Sequence, residues 1–310
     1  MTTPIILDCD PGHDDVFAIW LAAAHPAIDL RAITTVGGNG LLEHTTYNAR
    51  VACTVAGVSG IPIGAGAAHP LAGPLHPADW IHGPNALGGP ELPAPTVPLD
   101  DRNAQQLMRD VIDASPEPIT IVATGPLTNV AMLFEETPET VSRIAGVVWM
   151  GGSTTRGNVT PYAEFNAWAD PEAIAIVLAA EVPFTMVGLN ITHQALATPE
   201  VRARIAATGT RTGAFGRELL DYFSSTYERA ERMPDGPLHD PITVALLADP
   251  AVATTVRTRL DVELAGTETR GATSVDLLDA LDRPHNATVA LDLDVPRFWS
   301  LIEDAVRTLA

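Results

Sequence analysis

Residues 8 to 15 read Asp8-Cys9-Asp10-Pro11-Gly12-His13-Asp14-Asp15, placing four carboxylates within eight residues. Carboxylates this close repel one another unless a cation or a helix N-terminus offsets the charge. Asp14 and Asp15 are explicable as first-turn acids of a helix entered through Pro11-Gly12, but capping leaves Asp8 and Asp10 unexplained. Hard oxygen donors point to Ca²⁺ or Mg²⁺, whereas Zn²⁺ would favour histidine and thiolate. A divalent cation held there would orient a water molecule and lower its pKa. A second cluster stands late in the chain, at Leu238-His239-Asp240-Pro241. Asp240 before proline fits an ordinary N-cap. Beside an acidic rim it becomes a further metal ligand, and His239, of a type that titrates near ~6.5, becomes a proton donor.

The elements that must position these groups follow from the hydrophobic pattern. Short apolar runs at residues 5–7, 30–36, 119–123, 147–150 and 184–188 read as strands. Helical patterns lie between them at 14–24, 42–56, 104–114, 128–136 and 171–180. The alternation predicts an α/β fold, a mainly parallel open sheet with helices on both faces, spanning 1–310 as one domain. Two further strands are expected at 256–264 and 287–292, and a terminal helix at 296–309. Residues 198–231 read as an all-helical insertion broken at Gly209 and Gly213, a candidate flap. The Gly/Pro-rich stretch 64–100, with Trp80-Ile81-His82-Gly83 inside it, reads as a functional lid or binding loop.

In such sheets ligands bind beyond the carboxyl ends of the strands. Those ends carry Asp8 and Asp10, then Gly37-Gly38-Asn39, then Thr124-Gly125-Pro126-Leu127-Thr128-Asn129. Gly151-Gly152 leads on to Asn158, Glu164 and Asn166, and another strand ends near Asn190. Glu164 and Asn166, if extended, face the same way. Asn39 and Asn158 follow glycines and also suit turns, and Met150 also suits a core.

The net charge is −20, and no basic patch reverses it, which argues against nucleic-acid or anionic-membrane partners. The basic residues are all arginine; without lysine, a Walker-type phosphate loop and Schiff-base catalysis are excluded. Cys9 and Cys53 read as buried small hydrophobes. The apolar runs are too short for a leader or a membrane span, so a reducing cytoplasm is expected.

The acidic turn resembles the N-terminal signature of the inosine-uridine preferring nucleoside hydrolase family. The resemblance continues in order through Gly37-Gly38-Asn39, Thr124 to Asn129, Met150-Gly151-Gly152, Glu164-Phe165-Asn166 and His239-Asp240-Pro241. It implies hydrolysis of ribonucleosides to ribose and free base in a Rossmann-like fold. It implies Ca²⁺ held by Asp10, Asp15, Asp240 and the Thr124 carbonyl, with Asp10 also taking a proton from the attacking water. Asp14, Asn39, Asn158, Glu164 and Asn166 would contact the ribose, with Met150 beneath it. His239 would protonate the base, with His82 and Tyr227 beside it. Where relatives favouring pyrimidines often carry two tyrosines, this chain has Phe223 and Tyr227, which leaves base preference open. Assembly as a homotetramer or homodimer is expected by analogy.

Two rival readings carry less. A Mg²⁺-dependent phosphatase of the haloacid dehalogenase type also begins with a strand and Asp-x-Asp, but normally needs a lysine. A non-catalytic ribose-binding protein would have no need of the full acidic set.

Overall fold

The computed structural model describes residues 2–309. Nine strands form one sheet: β1 Thr3–Cys9, β2 Ile28–Thr35, β3 Ile63–Ala65, β4 Ile119–Ala123, β5 Ile144–Met150, β6 Phe184–Val187, β7 Ala253–Val262, β8 Thr273–Asp276 and β9 Ala287–Leu293. Their order is β3-β2-β1-β4-β5-β6-β9-β7-β8. From β3 through β9 all pairings are parallel; β7 and β8 close one edge antiparallel. The order reverses between β1 and β4, the switch point where doubly wound sheets open a crevice.

β1 shows why the sheet is buried on both faces. Ile5, Leu7 and Cys9 join one apolar cluster, and Ile6 joins the other. Such period-two division of a continuous apolar run is what a central parallel strand requires. Helix His13–Ala24 is buried from His13 through Ala22, so it too sits inside rather than on the surface. Cys9 and Cys53 are both buried and free.

Several expectations need correction. The short strands β3 and β8 were not expected. The insertion divides into helices Pro199–Ala206 and Arg211–Glu231, interrupted at Gly209, which has φ +72°. Gly213 does not break the second helix. It lies in its first turn, where its N–H donates to Thr210 Oγ1, and an added Cβ would stand 2.1 Å from Thr208 Oγ1. Its smallness serves packing.

Candidate active site

The acidic turn lies at the switch point. Backbone bonds beyond the strands hold it there: Thr124 N–H donates to Asp8 O at 2.8 Å and Val36 N–H to Cys9 O at 3.0 Å. Asp8 points into a polar network, accepting from Thr34 Oγ1 (2.6 Å) and Asn129 Nδ2 (2.8 Å). Asp15 partly fulfils the capping role, accepting from Gly12 N–H at 2.9 Å, but it also accepts from Thr124 Oγ1 at 2.7 Å. Asp240 precedes helix Pro241–Ala248, yet its side chain makes no capping bond. Instead Asp14, Asp15 and Asp240 converge, each offering an oxygen within 4.8 Å of the others.

Asp10 stands behind this trio, fully buried, with Oδ2 accepting from Asn39 N–H at 2.7 Å. Two glycines make room for it. A Cβ on Gly38 would come within 2.0 Å of Asp10 Oδ2, and one on Gly125 within 2.7 Å of Oδ1. Burial, then neighbouring carboxylates, pushes Asp10 and Asp240 well above the usual carboxylate range. The same causes push Asp14 up to about 7. Asp10 Oδ1 and Asp14 Oδ1 are buried with no hydrogen-bond partner among the described residues. Orphaned oxygens in an all-oxygen donor set, surrounded by like charge, are what a hard divalent cation would satisfy. The residues present fit one.

An open cleft of about 420 Å³ lies over this floor, within the range of small-molecule sites. Asp14, Asn39, Thr124, Met150, Asn166 and Asp240 line its lower part. Asn166 Nδ2 donates to Thr124 O (2.9 Å) and Met150 O (3.0 Å), leaving its carbonyl oxygen for a ligand. Glu164 is extended as expected, but Asn166 is not: Glu164 is the N-cap of helix Phe165–Ala169, which contains Asn166. The Glu164 carboxylate accepts from Asn166, Ala167 and Gly152 N–H, so the shared direction of Glu164 and Asn166 comes from a helix start. Burial raises Glu164 to about 7. Asn158 accepts from Phe165 N–H at 2.9 Å, which ties its loop to the same helix.

The upper wall is aromatic. His239 lies between Thr192 Oγ1 on Nδ1 and Tyr227 OH on Nε2, both at 2.7 Å. Burial pushes its ring well below the ordinary histidine range, with His193 adding to the effect. Phe223 packs edge-on against Tyr227, with centroids 4.8 Å apart. His82 projects from a four-residue helix, Asp79–His82, and is buried against His13, whose Nδ1 lies 3.0 Å from His82 Nδ1. Tyr222 turns away from the cleft and stacks on His13 at 5.2 Å.

The structure thus brings Asp10, Asp14, Asp15, Asn39, His82, Thr124, Met150, Asn158, Glu164, Asn166, Tyr227, His239 and Asp240 to one cleft or its floor, and it groups Asp14 with Asp15 and Asp240; Asn190 does not line the cleft and donates to Ala290 O instead. Sequence reasoning missed Ile81, Phe165, Arg229 and Glu231 as lining residues, and it left Trp80 without a role. Ile81 and Phe165 are direct neighbours of named residues and could have been inferred. Arg229 and Glu231 had no such signal; Glu231 pairs with Arg156 at 3.1 Å.

A crevice of this size over converging carboxylates at a topological switch point defines an α/β enzyme site for a small polar molecule. The chain belongs to the inosine-uridine preferring nucleoside hydrolase family, whose model matches residues 5–300. It is 46% identical to the inosine-uridine preferring nucleoside hydrolase of Leishmania major, over all of this chain and 99% of that protein. It is 43% identical to the pyrimidine-specific ribonucleoside hydrolase RihA of Shigella boydii, over the full length of both. Among solved structures, the purine-preferring ribonucleoside hydrolase from Gardnerella vaginalis superimposes with TM-score 0.91 at 32% identity, covering 99% of each chain.

Proposed function

We propose that this protein hydrolyses the N-glycosidic bond of ribonucleosides to ribose and free base. The observation that carries the reading is the convergence of Asp14, Asp15 and Asp240 beneath a nucleoside-sized cleft. Asp10, Asp15, Asp240 and the Thr124 carbonyl would hold Ca²⁺, and Thr124 O, although it accepts from Asn166, keeps a second lone pair. When bound, the cation orients a water molecule and makes it more acidic.

The Asp10 carboxylate takes one proton of the attacking water. The water oxygen bonds to the anomeric carbon as the carbon–nitrogen bond breaks. Positive charge develops on the sugar, and the carboxylate of Asp14 with the carbonyl oxygen of Asn166 stabilises it. Asn39, Asn158 and Glu164 orient the ribose, and Met150 packs beneath it. The departing nitrogen receives its proton from His239, with the Tyr227 hydroxyl as the partner of its Nε2. Burial favours the neutral imidazole, so the donor is the imidazolium, which takes its proton from solvent and is stabilised by the negative charge growing on the base; giving the proton up returns the ring to neutrality.

The test is ribose release from inosine, adenosine, guanosine, uridine and cytidine before and after EDTA treatment. Activity is expected on at least one, lost with the metal and restored by Ca²⁺. The melting temperature of the stripped protein should also rise on adding Ca²⁺, because a ligand of the native state stabilises it by mass action. Full turnover after verified metal removal would overturn the metal assignment, and no ribose from any nucleoside would overturn the function. We also assign one domain and a cytoplasmic homo-oligomer, tetramer or dimer, to be checked by light scattering and fractionation. No described helix is long and apolar enough to cross a membrane.

A further inference from the structure

Glu231 ends the long helix Arg211–Glu231 and lines the cleft, although everything local disfavours a carboxylate there. It stands at the negative end of the helix dipole, its side chain is only 9% exposed, and Glu164 lies near enough to add like charge. Burial pushes it above the ordinary glutamate range, and the Arg156 guanidinium opposes that shift. The next residue, Arg232, adopts the left-handed conformation at φ +58° and closes the helix with its N–H on Tyr227 O. Such a breach of local rules inside a cleft marks a place shaped for a ligand.

Arg156 Nη2 donates to Glu231 Oε2 at 3.1 Å while Nη1 donates to Gly157 O at 3.0 Å, so the helix end is tied to the loop that carries Asn158. One carboxylate oxygen is thereby held, and Oε1 has no hydrogen-bond partner among the described residues. The Glu164 carboxylate on the same wall is already committed to three backbone N–H groups. Asn158 Oδ1 accepts from Phe165 N–H, which leaves Asn158 Nδ2 as a donor without a partner among the described residues. A free donor and a free acceptor on one wall suit a hydroxyl, which does both.

Nucleoside geometry says which hydroxyl. The cis-diol is the sugar's one chelating pair of oxygens and belongs at the carboxylate floor. The base belongs at Tyr227 and His239. The 5′ arm leaves the same face of the sugar ring as the base, but at the opposite end. Glu231 follows Tyr227 by four residues, on the same helix face and about 6 Å further along. We propose that Glu231 is a substrate-specificity residue whose Oε1 accepts from the 5′-hydroxyl while Asn158 Nδ2 donates to it, and that Arg156 is the residue positioning the Glu231 carboxylate. The inference rests on the nucleoside-hydrolase reading, but the sugar contact can be measured without turnover.

The first measurement compares uridine and inosine with their 5′-deoxy analogues in steady-state assays. A hydrogen bond to a charged acceptor predicts that the wild type favours the hydroxylated substrate by about 10- to 100-fold in kcat/KM. In Glu231→Ala that preference should shrink to about threefold or less, through loss on the hydroxylated substrate alone. Glu231→Gln, which keeps an oxygen acceptor without the charge, should fall between the two. Arg156→Ala should raise KM for the hydroxylated substrate by about 3- to 10-fold with kcat little changed, and Arg156→Lys should recover most of that loss. A preference that survives Glu231→Ala would overturn the proposal, and equal losses on both substrates would reduce Glu231 to a structural residue. The second measurement is calorimetric titration of the Ca²⁺-loaded protein with 1,4-anhydro-D-ribitol and its 5-deoxy analogue, which carry no base. Tighter binding of the hydroxylated sugar is expected for the wild type and not for Glu231→Ala; equal affinities in the wild type, or binding of neither sugar, would overturn the contact. A protein inert on every nucleoside that still discriminates these sugars would overturn the functional reading and leave the sugar contact standing.

Discussion

The two ends of the cleft are built differently. The carboxylate end hangs directly on β1, β4 and the turn after β2, so Asp10, Asp15 and Thr124 inherit the rigidity of central strands with all neighbours paired. The aromatic end comes from a four-residue helix in an irregular segment and the face of a long peripheral helix, joined through His13, Tyr222 and Phe223. Chemistry common to every riboside is placed where the backbone cannot move. Contacts that differ from one base to the next are placed where small changes are tolerated.

The sharpest way to break this contrast is at the carboxylate end. Asp10→Ala removes both a metal ligand and the base, so kcat should fall by about 10³-fold or more on every nucleoside and on p-nitrophenyl riboside alike. A loss that depended on the leaving group would place Asp10 in the wrong half of the cleft. At the aromatic end the effect should be selective. His239→Ala is expected to lower kcat on inosine by about 10²-fold, and on p-nitrophenyl riboside, which leaves as a stabilised phenolate, by much less. Equal losses in steady-state assays would remove His239 from proton transfer. The smallest effect belongs to Tyr227→Phe. Losing the hydroxyl at 2.7 Å from His239 Nε2 should cost about 3- to 10-fold in kcat, with the fold unchanged by circular dichroism. A KM effect alone would make Tyr227 a base contact and not a partner of the acid.

The same contrast explains what could be read from the sequence. The carboxylate end was legible because it is local: a strand, a Pro-Gly turn and acids in one octapeptide, with Thr124 and Asp240 in equally compact blocks. Glu164 and Asn166 were placed in the right cleft for the wrong reason, because helix Phe165–Ala169 has five residues and shows no periodicity. β3 has three residues and β8 four, below the length at which alternation is visible. Gly213 looked like a breaker because propensity disfavours it, while the helix continues on the strength of the Thr210 cap and tertiary packing. His13 carries no sequence signal of its role, because its partner His82 lies 69 residues away and nothing in the octapeptide announces the contact.

The two glycines that cradle Asp10 carry a further consequence. Neither Gly38 nor Gly125 bears a functional group, yet a single methyl at either position would displace the carboxylate or be expelled by it. In a library of random variants selected for turnover, both should prove as intolerant as Asp10 itself. A map of tolerated substitutions would therefore outline the empty space around the reacting oxygen as clearly as the atoms that fill it.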